Sequence, residues 1–306
     1  MDIDVLGTLA VRHNGVSITP TAPKPRQVLA LLALRAGQVV PVGVLAEELW
    51  GSAPPRSARA TLQTYILQLR ELIRAALEDA TAGAGPAAAE GAGGSGAVGA
   101  GGGGGGRRQA KDVLLTVPGG YLLKSGDGVS DVREFERLAG CGYRAMDGED
   151  YRLAARLLRQ ALGLWTGPAL ADVHTGPQLR TEAKRLEEGR LCALDQRVEA
   201  DLRLGRHREL LAELTVLISQ YPMHESLCGQ YMLALYRSGR RGEALDAYQR
   251  LRATLVRAMG LEPSPALAKL QRSILMSGPD PLPARPAVNG AAVNGVAVSG
   301  AVARVG

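Results

Sequence analysis

From Ala53 to Leu77 the chain reads APPRSARATLQTYILQLRELIRAAL, and the spacing of its apolar residues leaves one regular structure open to it. Leu62, Ile66, Leu69, Ile73 and Leu77 recur at steps of four, three, four and four, which is one face of a helix with 3.6 residues per turn. Pro54 and Pro55 suit a chain that turns before a helix begins, and Ser57 suits an N-cap. With the apolar face inward, Arg59, Thr61, Gln63, Thr64, Gln68, Arg70 and Arg74 lie on or near the opposite side. Taken alone, this helix has two readings. It is a solvated amphipathic helix, or its arginine forks, amides and hydroxyls read base edges in a major groove.

The flanking segments favour the second reading. LLTVPGGYLL at Leu114–Leu123 is expected to form a tight β-hairpin. Upstream, Asp2–Val5, Leu9–His13 and Val16–Thr19 read as short strands, with Asn14-Gly15 a type I′ turn between the last two. Arg26–Arg35 reads as a helix closed near Gly37, and Val42–Trp50 as a second helix stopped by Gly51 and the prolines. Trp50 and Trp165 are the two tryptophans, and packing is the expected role of both. Three strands, three helices and a hairpin outline a winged helix-turn-helix, which makes duplex DNA the first partner to consider.

These residues carry a resemblance. The run VLGTLAV…PKPRQVLALLAL…LAEELWGSAPPRSARATLQTYILQLRELI…LLTVPGGYLL resembles the N-terminal half of the Streptomyces antibiotic regulatory protein (SARP) family, an OmpR-type winged helix-turn-helix. The run from Phe135 to about Leu275 resembles the bacterial transcriptional activation domain that follows it in that family. The fold class expected is therefore mainly α, an N-terminal α+β winged helix-turn-helix followed by an all-α tetratricopeptide-like repeat domain. The expected organisation is residues 1–124 for the first domain, 131–276 for the second and a disordered tail at 277–306. Large members of the family continue into an ATPase module. No G-x-x-x-x-G-K-[ST] pattern occurs here, so a regulator without its own nucleotide switch is expected.

Residues 81–106 interrupt the first domain between helix and hairpin, where the family has a shorter connection. Their 26 residues hold 13 glycines, 8 alanines and no aromatic residue, too little apolar surface to offset ordering, so a disordered insert is expected. Gly91–Gly96 matches G-x-G-x-x-G formally, but lacks the strand before and helix after that a pyrophosphate site requires. Arg107, Arg108 and Lys111 follow at the base of the hairpin, either as solubilising charges or as phosphate contacts.

The second half repeats. Gly205 and Gly239 stand 34 residues apart in matching strings, LGRHRELLAEL and SGRRGEALDAY, and Pro222 falls 17 after the first, as the closing proline of a tetratricopeptide-type repeat would. A weaker unit starts at Asp147-Gly148. Helix pairs are expected at 131–145 with 149–164, 179–204 with 207–220 and 224–238 with 241–259, and a last helix at 265–275. Tyr231, Tyr236 and Tyr248 at such spacing suit packing between helices.

Charge is spread evenly. Residues 1–124 hold 12 Lys/Arg against 9 Asp/Glu, and the remainder 24 against 21, so DNA binding must be argued from a face and not from the net charge of +6. No secretory signal or membrane span is legible, and the three cysteines are widely spaced, as free thiols in a reducing cytoplasm would be. The expected location is cytoplasmic, at the nucleoid, with no membrane partner. The four histidines are scattered and no metal spacing occurs. Asp172 and His174 read as surface polarity. Neither a cofactor nor an enzymatic activity is expected.

The expected mechanism follows. Lys24, Arg26, Arg56 and Arg70 contact phosphates, and Arg59, Thr61, Thr64 and Gln68 face base edges, with the roles of Thr61, Thr64, Gln68 and Arg70 carried over from the OmpR-type pattern. Arg107 and Arg108 at the base of the wing, with Gly120 and Tyr121 of the hairpin, lie against the duplex; the tip, Pro118-Gly119-Gly120, has no side chain to insert, so backbone or neighbouring cations make the contact there. The resemblance further implies a homodimer on direct repeats near the −35 element, recruitment of RNA polymerase through its σ factor and α subunit, and activation of a specialised-metabolite (antibiotic) gene cluster. Two rival readings are a repeat-based adaptor whose winged domain binds protein, and a repressor on the same scaffold.

Overall fold

A computed structural model describes residues 1–82 and 109–276. The chain opens on a three-stranded antiparallel sheet, β1 (Asp2–Asp4), β2 (Ala10–His13) and β3 (Val16–Ser17), in that order. Asn14 and Gly15 both take positive φ, 50° and 82°, the backbone that a two-residue hairpin matched to strand twist requires. Helix α1 (Pro23–Leu34) begins with proline in its first turn, where a missing N–H costs nothing, and buries Val28–Leu32 completely. It starts three residues before the position expected from sequence.

A short strand, β4 (Val39–Pro41), leads into α2 (Val42–Trp50), which ends at Gly51 with φ 62°. Next comes α3 (Ala58–Ala82). Its Leu62, Ile66, Leu69 and Ile73 are each no more than 1% exposed, and burial of each contributes about 1.5–3 kcal/mol. The stripe closes on Ala76, fully buried, while Leu77 lies half-buried beside it. Because the helix runs to Ala82, Thr81 and Ala82 are helical, not part of the insert. The rest of that insert, with Arg107, Arg108 and the glycine pattern at 91–96, lies outside the described residues, as does the tail at 277–306.

After a single turn of helix, α4 (Ala110–Val113), strands β5 (Leu114–Val117) and β6 (Gly120–Leu123) form the expected hairpin. They join β4 in a second antiparallel sheet of order β4-β6-β5, pairing Val40 with Tyr121 and Thr116 with Tyr121. Three residues ending in proline carry no strand signal of their own. Val39–Pro41 becomes a strand because β6 reaches it from about 80 residues downstream.

Three helices follow: α5 (Asp131–Asp147), α6 (Tyr151–Leu162) and α7 (Pro177–Arg203). Ser130 and Asp150 cap the first two through hydrogen bonds to the amides of Arg133 and Leu153. Gly142 lets α5 lie against Leu158 of α6, where a Cβ would stand 2.6 Å from the leucine Cγ. Trp165 packs edge-on against Phe135, with ring centroids 5.5 Å apart, and the Arg190 guanidinium covers its face at 4.8 Å.

The chain divides into two compact units, Met1–Gly205 and Arg206–Gly306. In the first, the winged elements share one core with α5, α6 and α7, so packing does not break at residues 124–131. Three carboxylates join the parts. Asp131 Oδ2 accepts from the amides of Val5 (2.6 Å) and Leu6 (2.7 Å), and its burial pushes its pKa above the usual carboxylate range. Asp172 accepts from the Leu9 amide (2.8 Å) and from the Arg26 guanidinium, so it is a joint and not surface polarity. Glu48 of α2 is 2% exposed and takes the first amides of α7: Gly176 (2.6 Å) on Oε1, Gln178 (2.8 Å) and Leu179 (3.0 Å) on Oε2. The Gln27 amide also donates to Glu48 Oε1, at 2.8 Å.

The second unit holds α8 (His207–Gln220), α9 (Glu225–Arg237), α10 (Arg241–Met259) and α11 (Pro265–Leu275). Helix α9 is its centre, packed by α8, α10 and α11, with Leu227 and Met232–Leu235 at most 2% exposed. Tyr231 and Tyr248 are buried and Tyr236 is half-buried. The repeat glycines Gly205 and Gly239 both follow helix ends at positive φ, 76° and 79°. Cys228 sits inside this core, and burial pushes its thiol up to about 12. Iodoacetamide at pH 8 is therefore expected to leave Cys228 unmodified in the native protein and to alkylate it after unfolding. Peptide mass spectrometry checks this, and labelling of the native thiol at the unfolded rate refutes it.

Candidate nucleic-acid interface

Helix α3 is asymmetric along its length as well as around its axis. From Ala53 to Arg70 it and its lead-in carry Arg56, Arg59 and Arg70 and no acidic residue, whereas Glu71, Glu78 and Asp79 follow. Arg74 is committed to those acids, with ion pairs to Glu71 at 2.8 Å and Glu78 at 3.0 Å. The N-terminal half is thus cationic, at the end where unsatisfied amides and the helix dipole add further positive potential. The C-terminal half is net acidic, with three carboxylates against one arginine.

The exposed face of that first half carries several polar side chains. Arg56, Arg59, Gln63 and Gln68 are exposed and their side chains make no hydrogen bond within the described residues. Thr61 is half-buried. Thr64 is exposed, but its hydroxyl donates back to the Ala60 carbonyl at 3.2 Å. Leu67, unremarked in the sequence, stands among these residues with 59% of its surface exposed.

Several residues expected at a duplex are engaged elsewhere. Lys24 is half-buried, and its ammonium donates to the Leu49 carbonyl (2.5 Å) and to Gln27 Oε1 (3.4 Å), satisfying the C-terminal end of α2. Arg26 donates to the carbonyls of Pro20 (3.0 Å) and Leu9 (3.1 Å) as well as to Asp172, with its side chain 18% exposed. Both cations hold the fold and are withdrawn from the phosphate set. Arg70 bridges α3 and the wing, its Nε (3.1 Å) and Nη2 (2.9 Å) donating to the Leu114 carbonyl, with Nη2 also on Thr116 Oγ1 at 2.8 Å.

The start of β6 is likewise built inward, while Pro118 and Gly119 at the tip are exposed. Gly120 is buried where β6 crosses β4, and a Cβ there would overlap the Val40 carbonyl. Tyr121 is 7% exposed between Val40 and Thr116. Gly119 accepts a hydrogen bond from the Val42 amide at 2.9 Å, which ties the tip to the start of α2. Gly120 and Tyr121 therefore position the hairpin and present no side chain outward. Lys111 of α4 is exposed and makes no hydrogen bond within the described residues. No group of three or more His, Cys, Asp or Glu that could hold a metal ion occurs among the described residues, and no helix there is long and apolar enough to cross a membrane.

Comparison with known proteins places this geometry. Residues 17–82 match the family described as "Transcriptional regulatory protein, C terminal", and residues 130–275 match the "Bacterial transcriptional activator domain". The chain is 50% identical over 279 residues to "Regulatory protein DnrI" of Streptomyces peucetius, covering 91% of this chain and 93% of that protein. It is 34% identical to "Regulatory protein AfsR" of Streptomyces coelicolor, covering 90% of this chain but 24% of that longer protein. Among solved structures, Mycobacterium tuberculosis EmbR in complex with a low-affinity phosphopeptide superposes with a TM-score of 0.75 at 30% identity, over 91% of this chain and 65% of that one.

Proposed function

The chain belongs to the Streptomyces antibiotic regulatory protein family of transcriptional regulators, and from that premise we propose that it binds double-stranded promoter DNA through the N-terminal half of α3 and activates a specialised-metabolite gene cluster. The observation that carries this reading is the face bearing Arg56, Arg59, Gln63 and Gln68. It combines positive charge with donors and acceptors that have no partner among the described residues, on a helix of a size that a major groove admits. Arg56 sets the register on phosphates, and Arg59 and Gln68 read base edges. Two copies side by side on direct repeats about 10–10.5 base pairs apart would meet one face of the duplex. From there they recruit RNA polymerase through its σ factor and α subunit.

Salt-titrated binding to the gene's own upstream region tests the reading. Arg56→Ala should flatten the slope of log affinity against log salt by about one, across all duplexes, whereas Arg59→Ala should also relax preference at one position of the repeat. Gln68→Ala should leave the slope unchanged and relax preference at one position of the repeat. If the wild-type protein binds this region no better than unrelated DNA at physiological salt, the winged domain is not a sequence-specific DNA reader, and the adaptor reading takes its place. Transcription in vitro with purified polymerase then separates activation from repression.

A further inference from the structure

On the DNA-facing side proposed for α3, the centre is not polar. Leu67 projects there with 59% of its surface exposed, directly away from the buried stripe of Leu62, Leu69 and Ile73. Ala60, two turns earlier, is exposed on the same side. Thr64 lies between them with its hydroxyl turned back onto the Ala60 carbonyl at 3.2 Å. Ala60, the Thr64 methyl and Leu67 thus line up as a narrow apolar strip, flanked by Gln63 and Gln68 and approached by Arg59.

An exposed leucine at the centre of a hydrogen-bonding face cannot serve a phosphate or a polar base edge. The one apolar group that a major groove presents at its floor is the C5-methyl of thymine. We propose that Leu67, with Ala60 and the Thr64 methyl beside it, is a specificity-determining contact that reads thymine methyl groups. This rests on the DNA-binding role proposed above. Thr64 then acts through its methyl and not through a hydrogen bond to a base edge. Gln63 and Gln68 bracket the strip with amides suited to adenine N6 and N7, so the strip and its flanks together favour A·T pairs.

The test uses the full chain and a duplex selected by it from a random 30-base-pair pool, with each thymine in turn replaced by deoxyuridine, which lacks only the methyl group. Wild-type affinity should fall about four-fold at one or two positions of each repeat, the loss set by one methyl-sized burial. Leu67→Ala should bind the thymine and deoxyuridine duplexes alike at those positions, and Leu67→Met should restore the discrimination. Both substitutions are at an exposed helix position, so an unchanged thermal melting curve accompanies the expected result. If deoxyuridine is neutral throughout for the wild type, or if Leu67→Ala remains as sensitive as the wild type, Leu67 does not read methyl groups although DNA binding stands. If no duplex is enriched from the pool, the DNA-binding reading and this inference fail together.

Discussion

Glu48→Ala is expected to destabilise the first unit by on the order of 3 kcal/mol, read as a fall in the urea midpoint at unchanged m. Glu48 is 2% exposed, and its two carboxylate oxygens accept from the amides of Gly176, Gln178 and Leu179 and from Gln27 Nε2. Alanine leaves the three backbone amides facing a void, while Gln27 Nε2 keeps its hydrogen bond to the carbonyl of residue 48 at 2.7 Å. Each hydrogen bond to a charged acceptor contributes roughly 1.5–3 kcal/mol, and partial solvation of the freed groups keeps the total below their sum. Gly176 has no room for a side chain to fill the gap, because a Cβ there would overlap the Glu48 carbonyl. Neighbouring Glu47 is exposed and meets only the Gln178 side chain at 3.1 Å, so Glu47→Ala should cost no more than about 0.5 kcal/mol. Equal midpoints for the two variants would mean that α7 does not depend on this cap.

Arg70→Ala should weaken binding to every duplex by about ten-fold or more while leaving the salt slope where it is. The guanidinium is shared between the Leu114 carbonyl and Thr116 Oγ1, so it fixes the wing to α3 across 44 residues of chain. Without it, the hairpin and the reading helix no longer present one surface, and ordering them on DNA costs affinity whatever the sequence. A phosphate contact behaves differently: its removal lowers the slope by about one. Arg70→Lys should fall between, since a single ammonium cannot reproduce the fork. Fluorescence anisotropy at four or five salt concentrations decides between the two roles. A slope reduced by one unit returns Arg70 to the phosphate set and removes its structural role.

The contrast between Arg59 and Arg70 explains how much of the site could be read from the sequence. Both are arginines on one amphipathic helix, eleven residues apart, and periodicity puts each outside the apolar stripe. Only the fold distinguishes them, because the Leu114 carbonyl accepts from one and no hydrogen-bond partner among the described residues meets the other. Lys24 and Arg26 divide from Arg56 for the same reason. Their partners are the carbonyls of Leu49, Leu9 and Pro20 and the carboxylate of Asp172, brought near by packing. Leu67 was visible as a leucine off the apolar stripe, and that was the signal available for it.

What the sequence determined by itself is local: the stripe of α3, the Asn14-Gly15 turn, the hairpin, the helix closures at Gly205 and Gly239, and the family to which these belong. Each depends on residues within a few positions of one another, where side-chain spacing and backbone sterics act without help from the rest of the chain. The tertiary structure decided that Val39–Pro41 is a strand, that Glu48 caps a helix begun more than 120 residues later, and that the winged elements share a core with α5–α7. These are matters of which donors and acceptors meet after the chain has closed on itself. Long polar side chains reach whichever partner is nearest in space, and nearness in space is not written at any fixed spacing along the chain.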